Sequence, residues 1–296
     1  MESEILKKYL QAGKIATEAL NYGKGLIKSG AKVREILEKV EDKIIELGGL
    51  PAFPAQISLN EFAAHSCADL SDETTLKDEV VKLDVGVHIE GYIADTALTV
   101  DLSGKHTKLL EASREALEKA LKIVKPGVTL GEIGRVIQET ITSYGFAPVK
   151  NLCGHGLGEY EIHAAPSIPN VDNGNARKLE EGEVIAIEPF ASTGAGLVQE
   201  SSPATLFTLV NDSGIRDPIT RNILKEIKTY KGLPFAKRWL EKKFGTPKTN
   251  FALRTLLKAG CLEEHAPLFD QNRGIISQAE HSVIVQKKPI VFTKLD

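Results

Sequence analysis

What most constrains the fold of this 296-residue chain is a pattern that occurs twice. Gly30 opens AKVREILEKVEDKIIELGG, in which Val33, Ile36, Val40 and Ile44 recur at helical spacing and Gly48 supplies a stop. Ninety-seven residues later Gly127 opens VTLGEIGRVIQETITSYG, with Leu130, Ile133, Ile137 and Ile141 in the same places and Gly145 as the stop. An amphipathic helix precedes each copy, over residues 3–28 and about 106–125. Strand-like stretches follow each: Phe53 to Leu59 and residues 80–102, then Pro148 to Cys153 and Glu183 to Phe190. Two copies of a helix-helix-strand-hairpin unit predict a pseudo-twofold α+β domain, its sheets facing each other inside a helical cover. A site between the halves would draw on both. Thr129 and Glu132, in TLGE, predict a capping box at the start of the second copy's helix.

The hairpin of the first half is VVKLDVGVHIEGYIADTALTVDL, from Val80 to Leu102. If Glu90 and Gly91 form its turn, Asp84 falls opposite Ala97 and Asp95 becomes its diagonal neighbour on the same face, roughly 7 Å away at the backbone. Side by side in a half-buried sheet the two carboxylates repel, so a cation between them is expected. Two hydrated strand-end aspartates are the equal alternative at this point.

The second half supplies further candidates. His155, in NLCGHGLGEYEIHAAPSIPN, is expected just after an apolar strand and a glycine that lets backbone approach a ligand, and His163 follows it. Either histidine alone reads more readily as structural. Glu188 ends the apolar run of EGEVIAIEPF, and Glu280 precedes the apolar run of QAEHSVIV, which puts two more acids on buried strands, where acids are rare unless paired. Four carboxylates and one imidazole on one core call for two divalent ions. A set of mostly hard oxygens with one nitrogen suits manganese, iron(II) or cobalt and permits zinc.

Composition narrows the class. With 42% hydrophobic residues, 26% charged residues and a net charge of −3, the chain lacks a general field for nucleic acid or membrane. No apolar run approaches the ~20 residues of a membrane span. The first 28 residues read as an amphipathic helix and not a signal peptide, so a cytoplasmic protein is expected. Cys67, Cys153 and Cys261 are scattered, and reduced, buried thiols are expected of them. His88, His106 and His281 carry no functional reading.

Taken together, KLDVGVHIEGYIADTALTV, GHGLGEYEIHAAPSIPN, AIEPF and QAEH resemble the methionine aminopeptidases of the pita-bread fold, most closely the type II enzymes in their short archaeal form. The resemblance covers nearly the whole chain. It implies that Asp84 binds one metal, that Asp95 and Glu280 bridge two, and that His155 and Glu188 complete the second. It implies that a hydroxide held by the two metals attacks the scissile bond, with Glu188 as base and then acid, and that His163 and His65, in NEFAAH, flank the substrate. It gives the methionine pocket to Phe53, Ile162, Phe190, His265 and Leu268. Two departures touch no ligand: HAA where HAG is usual, and Ala279 where QFEH has phenylalanine.

Type II members also carry a helical insert before the last glutamate. Here it is expected over residues 201–268, between catalytic segments 1–200 and 269–296, with helices near Pro218 to Tyr230, Pro234 to Lys243 and Lys248 to Gly260 and, by resemblance, a winged-helix-like shape. Lys225, Lys228, Lys231, Lys237 and Arg238 make a basic stretch that reads as a solvated face. The implied partners are the N-terminal methionine of nascent polypeptides and, transiently, the ribosome, with no membrane, no specific nucleic acid and a monomeric protein. Two other readings share the fold. One is a proline-directed aminopeptidase or dipeptidase, whose members carry a whole extra domain ahead of the fold. The other is a catalytically silent partner-binding module, whose members lose metal ligands.

Overall fold

The computed structural model describes residues 1–201 and 203–294. Helices α1 (Ser3–Leu26) and α2 (Val33–Glu46) open the first half, and α3 (Thr107–Ile123) and α4 (Leu130–Ser143) the second. Helices α2 and α4 begin and end at the same 97-residue offset. Gly30, Gly48, Gly127 and Gly145 all take positive φ, between 83° and 92°, a conformation that favours glycine. Equivalent backbone bonds close the two loops: Gly30 N donates to Leu76 O and Gly127 N to Leu179 O, each at 2.8 Å. The offset still holds for the starts of strands Gln56–Leu59 and Cys153–Gly158 and lengthens after them.

In the first half, strands Val80–Ile89 and Tyr92–Asp101 form an unbroken hairpin with Ile89 opposite Tyr92. Its turn residues Glu90 and Gly91 have φ of 50° and 93°, the doubly positive pair whose twist matches a tight hairpin. Strands Gln56–Leu59 and Leu50–Pro51 add to the other edge of Val80–Ile89. The second half holds the same ladder interrupted. Val184–Ile187 pairs with His281–Ile284, and beyond a break Phe190–Ser192 pairs with Ile276–Gln278. Glu188 and Pro189 stand in the break on one side, Ala279 and Glu280 on the other. Where the first hairpin turns in two residues, the second sends out residues 193–275.

Each half has a principal core, the first reaching across to Val184, Ala186 and Ile284 of the second. Leu20, Leu37, Val40 and Ile44 of α1 and α2 pack on Leu83, Val85 and Ile93. Leu117, Ile133, Ile137 and Ile141 of α3 and α4 pack on Ile185, Ile187 and Val283. At about 1.5–3 kcal/mol per fully buried side chain, these two contacts supply the main force that holds the helical cover to the sheets. The halves are stitched where strand Tyr92–Asp101 meets the strand pair around Glu280. Asp95 N donates to Ser282 Oγ (2.9 Å), Thr96 Oγ1 to Glu280 O (2.9 Å) and Glu280 N to Ala97 O (3.1 Å). The predicted capping box is present: Thr129 Oγ1 accepts from Glu132 N, and the Glu132 carboxylate accepts from Thr129 N.

The excursion holds helices α5 (Pro218–Ile227), α6 (Lys237–Phe244) and α7 (Thr246–Lys258) against strands Leu206–Leu209, Phe235–Ala236 and Leu262–His265. Phe207, Ile223, Phe235, Leu240 and Leu256 form its own core. The helix expected from Pro234 starts later, because Phe235 and Ala236 are taken into the sheet opposite Phe207 and Leu206. Arg238, expected on a solvated face, is fully buried and ion-paired with Glu41 of α2, which also accepts from Trp239 Nε1 at 2.9 Å. That pairing ties the excursion to the body. Strand Leu268–Asp270 already belongs to the body, lying between Val198–Glu200 and Phe62–Ala64.

Candidate metal centre

The hairpin register puts Asp84 opposite Ala97 and Asp95 opposite Gly86, as the sequence predicts. A Cβ at Gly86 would fall 2.1 Å from the Phe53 ring, so the glycine lets that ring approach the strand beside the two aspartates' positions in the ladder. His155 sits within strand Cys153–Gly158 and not after it. Its flanking glycines also serve a different end from the one expected. A Cβ on Gly154 would meet Ala186 O at 2.2 Å and one on Gly156 would meet Ala165 O at 2.1 Å, so they admit neighbouring strands rather than a ligand. Glu188 and Glu280 come from the two sides of the break, where the missing ladder frees both side chains to turn inward.

These five side chains meet. Donor atoms of Asp95, His155 and Glu280 lie within 4.8 Å of one another. His155 Nε2 is 3.6 Å from Asp95 Oδ2 and 3.7 Å from Glu188 Oε1. Asp84 stands against Asp95, and Gln278 Nε2 lies 3.5 Å from both Glu188 Oε2 and Glu280 Oε2. Burial pushes the Asp84 carboxyl up to about 7. Burial first, and then the neighbouring carboxylates, hold Asp95, Glu188 and Glu280 well above the ordinary carboxylate range. Burial lowers His155 to about 3, which keeps its imidazole neutral and its lone pair free.

The donor set fits divalent cations. Asp84 Oδ1, Asp95 Oδ1 and Glu280 Oε1 are buried without a hydrogen-bond partner, a costly state that a shared cation relieves. Among the described residues no lysine or arginine pairs with the four acids. Lys82, two residues before Asp84, spends its buried ammonium on the carbonyls of Asn60 (3.0 Å) and Ile276 (2.9 Å).

The cluster lies at the floor of a cavity of about 270 Å³. Phe53, Ile162, Phe190, His65, His163 and His265 line it, as expected; Leu268 does not, and packs with Phe190 and Val149 behind the wall. His163 meets the His155 ring edge-on at 4.7 Å between centroids, and His65 meets His265 at 5.7 Å. Burial lowers His65 to about 4 and lowers His163 and His265 as well, so all three are neutral near pH 7. His65 takes a φ of 62°, and its N–H donates to Gln56 Oε1 at 2.7 Å. Thr208 of the excursion holds His265 Nε2 at 2.8 Å. Cys153, expected to be buried, is exposed at the cavity's lining, whereas Cys67 and Cys261 are buried.

Sequence reasoning missed Gln56, Gln278, Leu206 and Pro234 as lining or supporting residues. Gln278 was visible as the polar neighbour of Glu280, and Gln56 as a glutamine inside an apolar strand. Leu206 and Pro234 carried no signal, because only the folded excursion brings them to the cavity.

The profile of metallopeptidase family M24 matches residues 7–216. The chain belongs to that family. A methionine aminopeptidase of Archaeoglobus fulgidus is 47% identical over 288 residues, 97% of each chain. Among M24-type structures, the methionine aminopeptidase of Thermotoga maritima shares the fold at a TM-score of 0.74, 23% identity and 98% of its length. A thermophilic Arx1 shares it at 0.87, 19% identity and 92%. The pita-bread fold expected from the sequence is thus the M24 fold, and the five converging side chains are the candidate ligands of a family whose members are metallopeptidases. Among the described residues no helix is long and apolar enough to cross a membrane.

Proposed function

We infer that the cavity removes the N-terminal methionine from peptides and nascent proteins, as a type II methionine aminopeptidase. One observation carries the reading: four carboxylates and a neutral imidazole, drawn from both halves, converge beside an apolar pocket in a chain 47% identical to a methionine aminopeptidase along its length. The excursion at residues 193–275 supports the type II assignment. In this reading Asp84 would hold one ion, His155 and Glu188 the other, and Asp95 and Glu280 would help hold both, with cobalt, manganese, iron(II) or zinc as candidates. Divalent ions held there supply Lewis acidity to the attacking water and the scissile carbonyl.

The protein's side chains do the rest. Glu188 opens onto the cavity and is steadied by Gln278; it takes a proton from the attacking water and passes it to the departing amine. His163, kept neutral by burial, donates an N–H to the carbonyl oxygen as negative charge grows there. His65 faces the new amine, its backbone fixed by Gln56. Phe53, Ile162 and Phe190 enclose the methionine side chain, with His265 closing the wall from the excursion. A free N-terminal amine held on the Asp84 side confines cleavage to the first residue. Nascent chains are met in the cytoplasm by a monomer, with a transient ribosome contact.

Release of methionine from Met-Gly-Met-Met is the test, in cobalt or manganese, before and after chelation. Methionine is expected, with none after chelation, and no alanine is expected from an Ala-Pro peptide. Faster cleavage of the Ala-Pro peptide, or no turnover with any of the four metals, overturns the reading.

A further inference from the structure

On the far side of the wall that carries Glu280 lies a second cavity, of about 360 Å³. Its sides are α1 and α3, the paired helices of the two halves, so it occupies the pseudo-twofold seam. The wall between the two cavities is one layer of chain thick. It consists of residues 97–99 laced to residues 278–280, with Thr99 Oγ1 donating to Gln278 O at 2.6 Å and Glu280 N to Ala97 O at 3.1 Å. Glu280 lines both cavities, and Gln278, which lines the seam cavity, reaches Glu188 Oε2 and Glu280 Oε2 at 3.5 Å. On this side the wall bears Ala97 and Ala279, and these two small side chains leave the space open.

The lining is of two kinds. Leu20, Leu98, Leu110 and Leu117 make an apolar floor. Lys24 of α1, Arg114 of α3 and Lys294 bring positive charge to the lining; of its two acids, Glu118 is committed to Lys294 at 2.6 Å and Glu280 is buried in the shared wall. Among the described residues Lys24 and Arg114 have no acidic partner within ion-pair distance. The hydroxyls at the back are already engaged: Thr17 donates to Thr293 O, and Thr293 Oγ1 accepts from Ser282 N. A neutral polar guest would therefore find little to bond beyond the Asn21 amide. A guest with an apolar body and one negative end would match both the floor and the rim.

We propose that this seam cavity is a binding site for a small amphipathic carboxylate, distinct from the peptidase cavity and coupled to it through the shared wall. A guest that fills the space beside Ala97 and Ala279 removes room in which residues 278–280 can shift, and so favours the arrangement in which Glu280 faces the peptidase cavity with Gln278 beside it. By linkage, metal and guest then strengthen each other's binding by the same factor.

Octanoate is the probe, with octanamide as its neutral counterpart, titrated calorimetrically into manganese-loaded protein saturated with methionine so that the peptidase cavity is blocked. Octanoate is expected to bind about five- to tenfold more tightly than octanamide, a ratio set by one charge-assisted contact at a partly exposed rim. The double variant Lys24→Gln/Arg114→Gln should erase most of that ratio. Ala279→Phe, which fills the cavity, should abolish binding; Ala279→Leu repeats the test with a smaller insertion should the phenylalanine prevent folding. Octanoate should also tighten manganese binding, read by the resonance of the free ion. The proposal is overturned if octanoate does not bind, binds no better than octanamide, or binds the filled variants as well as the parent.

Discussion

The two halves of the molecule share a scaffold and differ in chemistry. Each presents a pair of acids on its hairpin ladder: Asp84 and Asp95 on the unbroken one, Glu188 and Glu280 at the break in the other. The offset that carries Gln56 onto Cys153 carries Ser58 onto His155, and there the likeness ends. Ser58 is buried opposite Lys82 in its sheet, while His155 points into the acid cluster. Register delivers the acids of the first half and a break in the ladder those of the second, whereas the imidazole comes from one half alone and makes the site lopsided. His155→Ser restores the symmetry and breaks the site. Hydrolysis of Met-Gly-Met-Met should fall by about 10³-fold, a loss of several kcal/mol of charge stabilisation at 1.4 kcal/mol per decade, with weaker manganese binding by calorimetry. Activity within tenfold of the parent would show that the acid pairs suffice without it.

Metal removal should expose the cost of bringing the two acid pairs together. In the metal-free protein burial raises Asp84 to about 7, and burial with mutual repulsion raises Asp95, Glu188 and Glu280. A carboxyl whose folded-state pKa lies above its unfolded value contributes stability that is full below the unfolded pKa, near 4, and is lost as pH rises through the folded value. The four acids should thus withdraw stability from the chelated protein as pH rises from about 4, while the buried histidines return it only up to about pH 6.5, so the Tm should be lower at pH 7.5 than at pH 6.5. Added manganese should reverse the loss at pH 7.5, by about 3–4 kcal/mol at several hundred times its Kd. A chelated protein equally stable at both pH values would place the acids apart in solution.

The same contrast explains what could be read in the sequence. The unbroken hairpin was legible to the residue, because alternation, a Glu-Gly turn and a fixed register determine which aspartates share a face. The repeat was legible because α2 and α4 bury equivalent apolar positions and end at glycines. The broken hairpin was not. Glu188 and Glu280 are distant in the chain, and nothing in their local patterns says that Phe190 pairs with Gln278; only the family resemblance joined them. The glycines beside His155 misled for a related reason, since close approach by a strand and by a ligand leave the same trace in a sequence. Arg238 misled because its burial depends on Glu41, 197 residues away.

The smallest expected effect separates the halves at their helix starts. Helix α4 begins with a capping box from Thr129 to Glu132. Helix α2 begins at Lys32, whose backbone takes nearly the same conformation, φ −84° and ψ 129° against −83° and 152°, with no side-chain cap. Three residues beyond Lys32 stands Glu35, where Glu132 stands in the other half. Thr129→Ala leaves an N–H at the helix start unpaired and should cost about 1 kcal/mol in urea unfolding at fixed metal. Lys32→Thr writes T-V-R-E into the first half and should add about 0.5 kcal/mol, despite loss of the exposed contact between Lys32 and Glu73. Equal and opposite shifts would show that the cap accounts for the difference between the two starts. A Lys32→Thr protein no more stable than the parent would mean that the backbone bridge from Lys32 to Thr75 already holds the first helix in place.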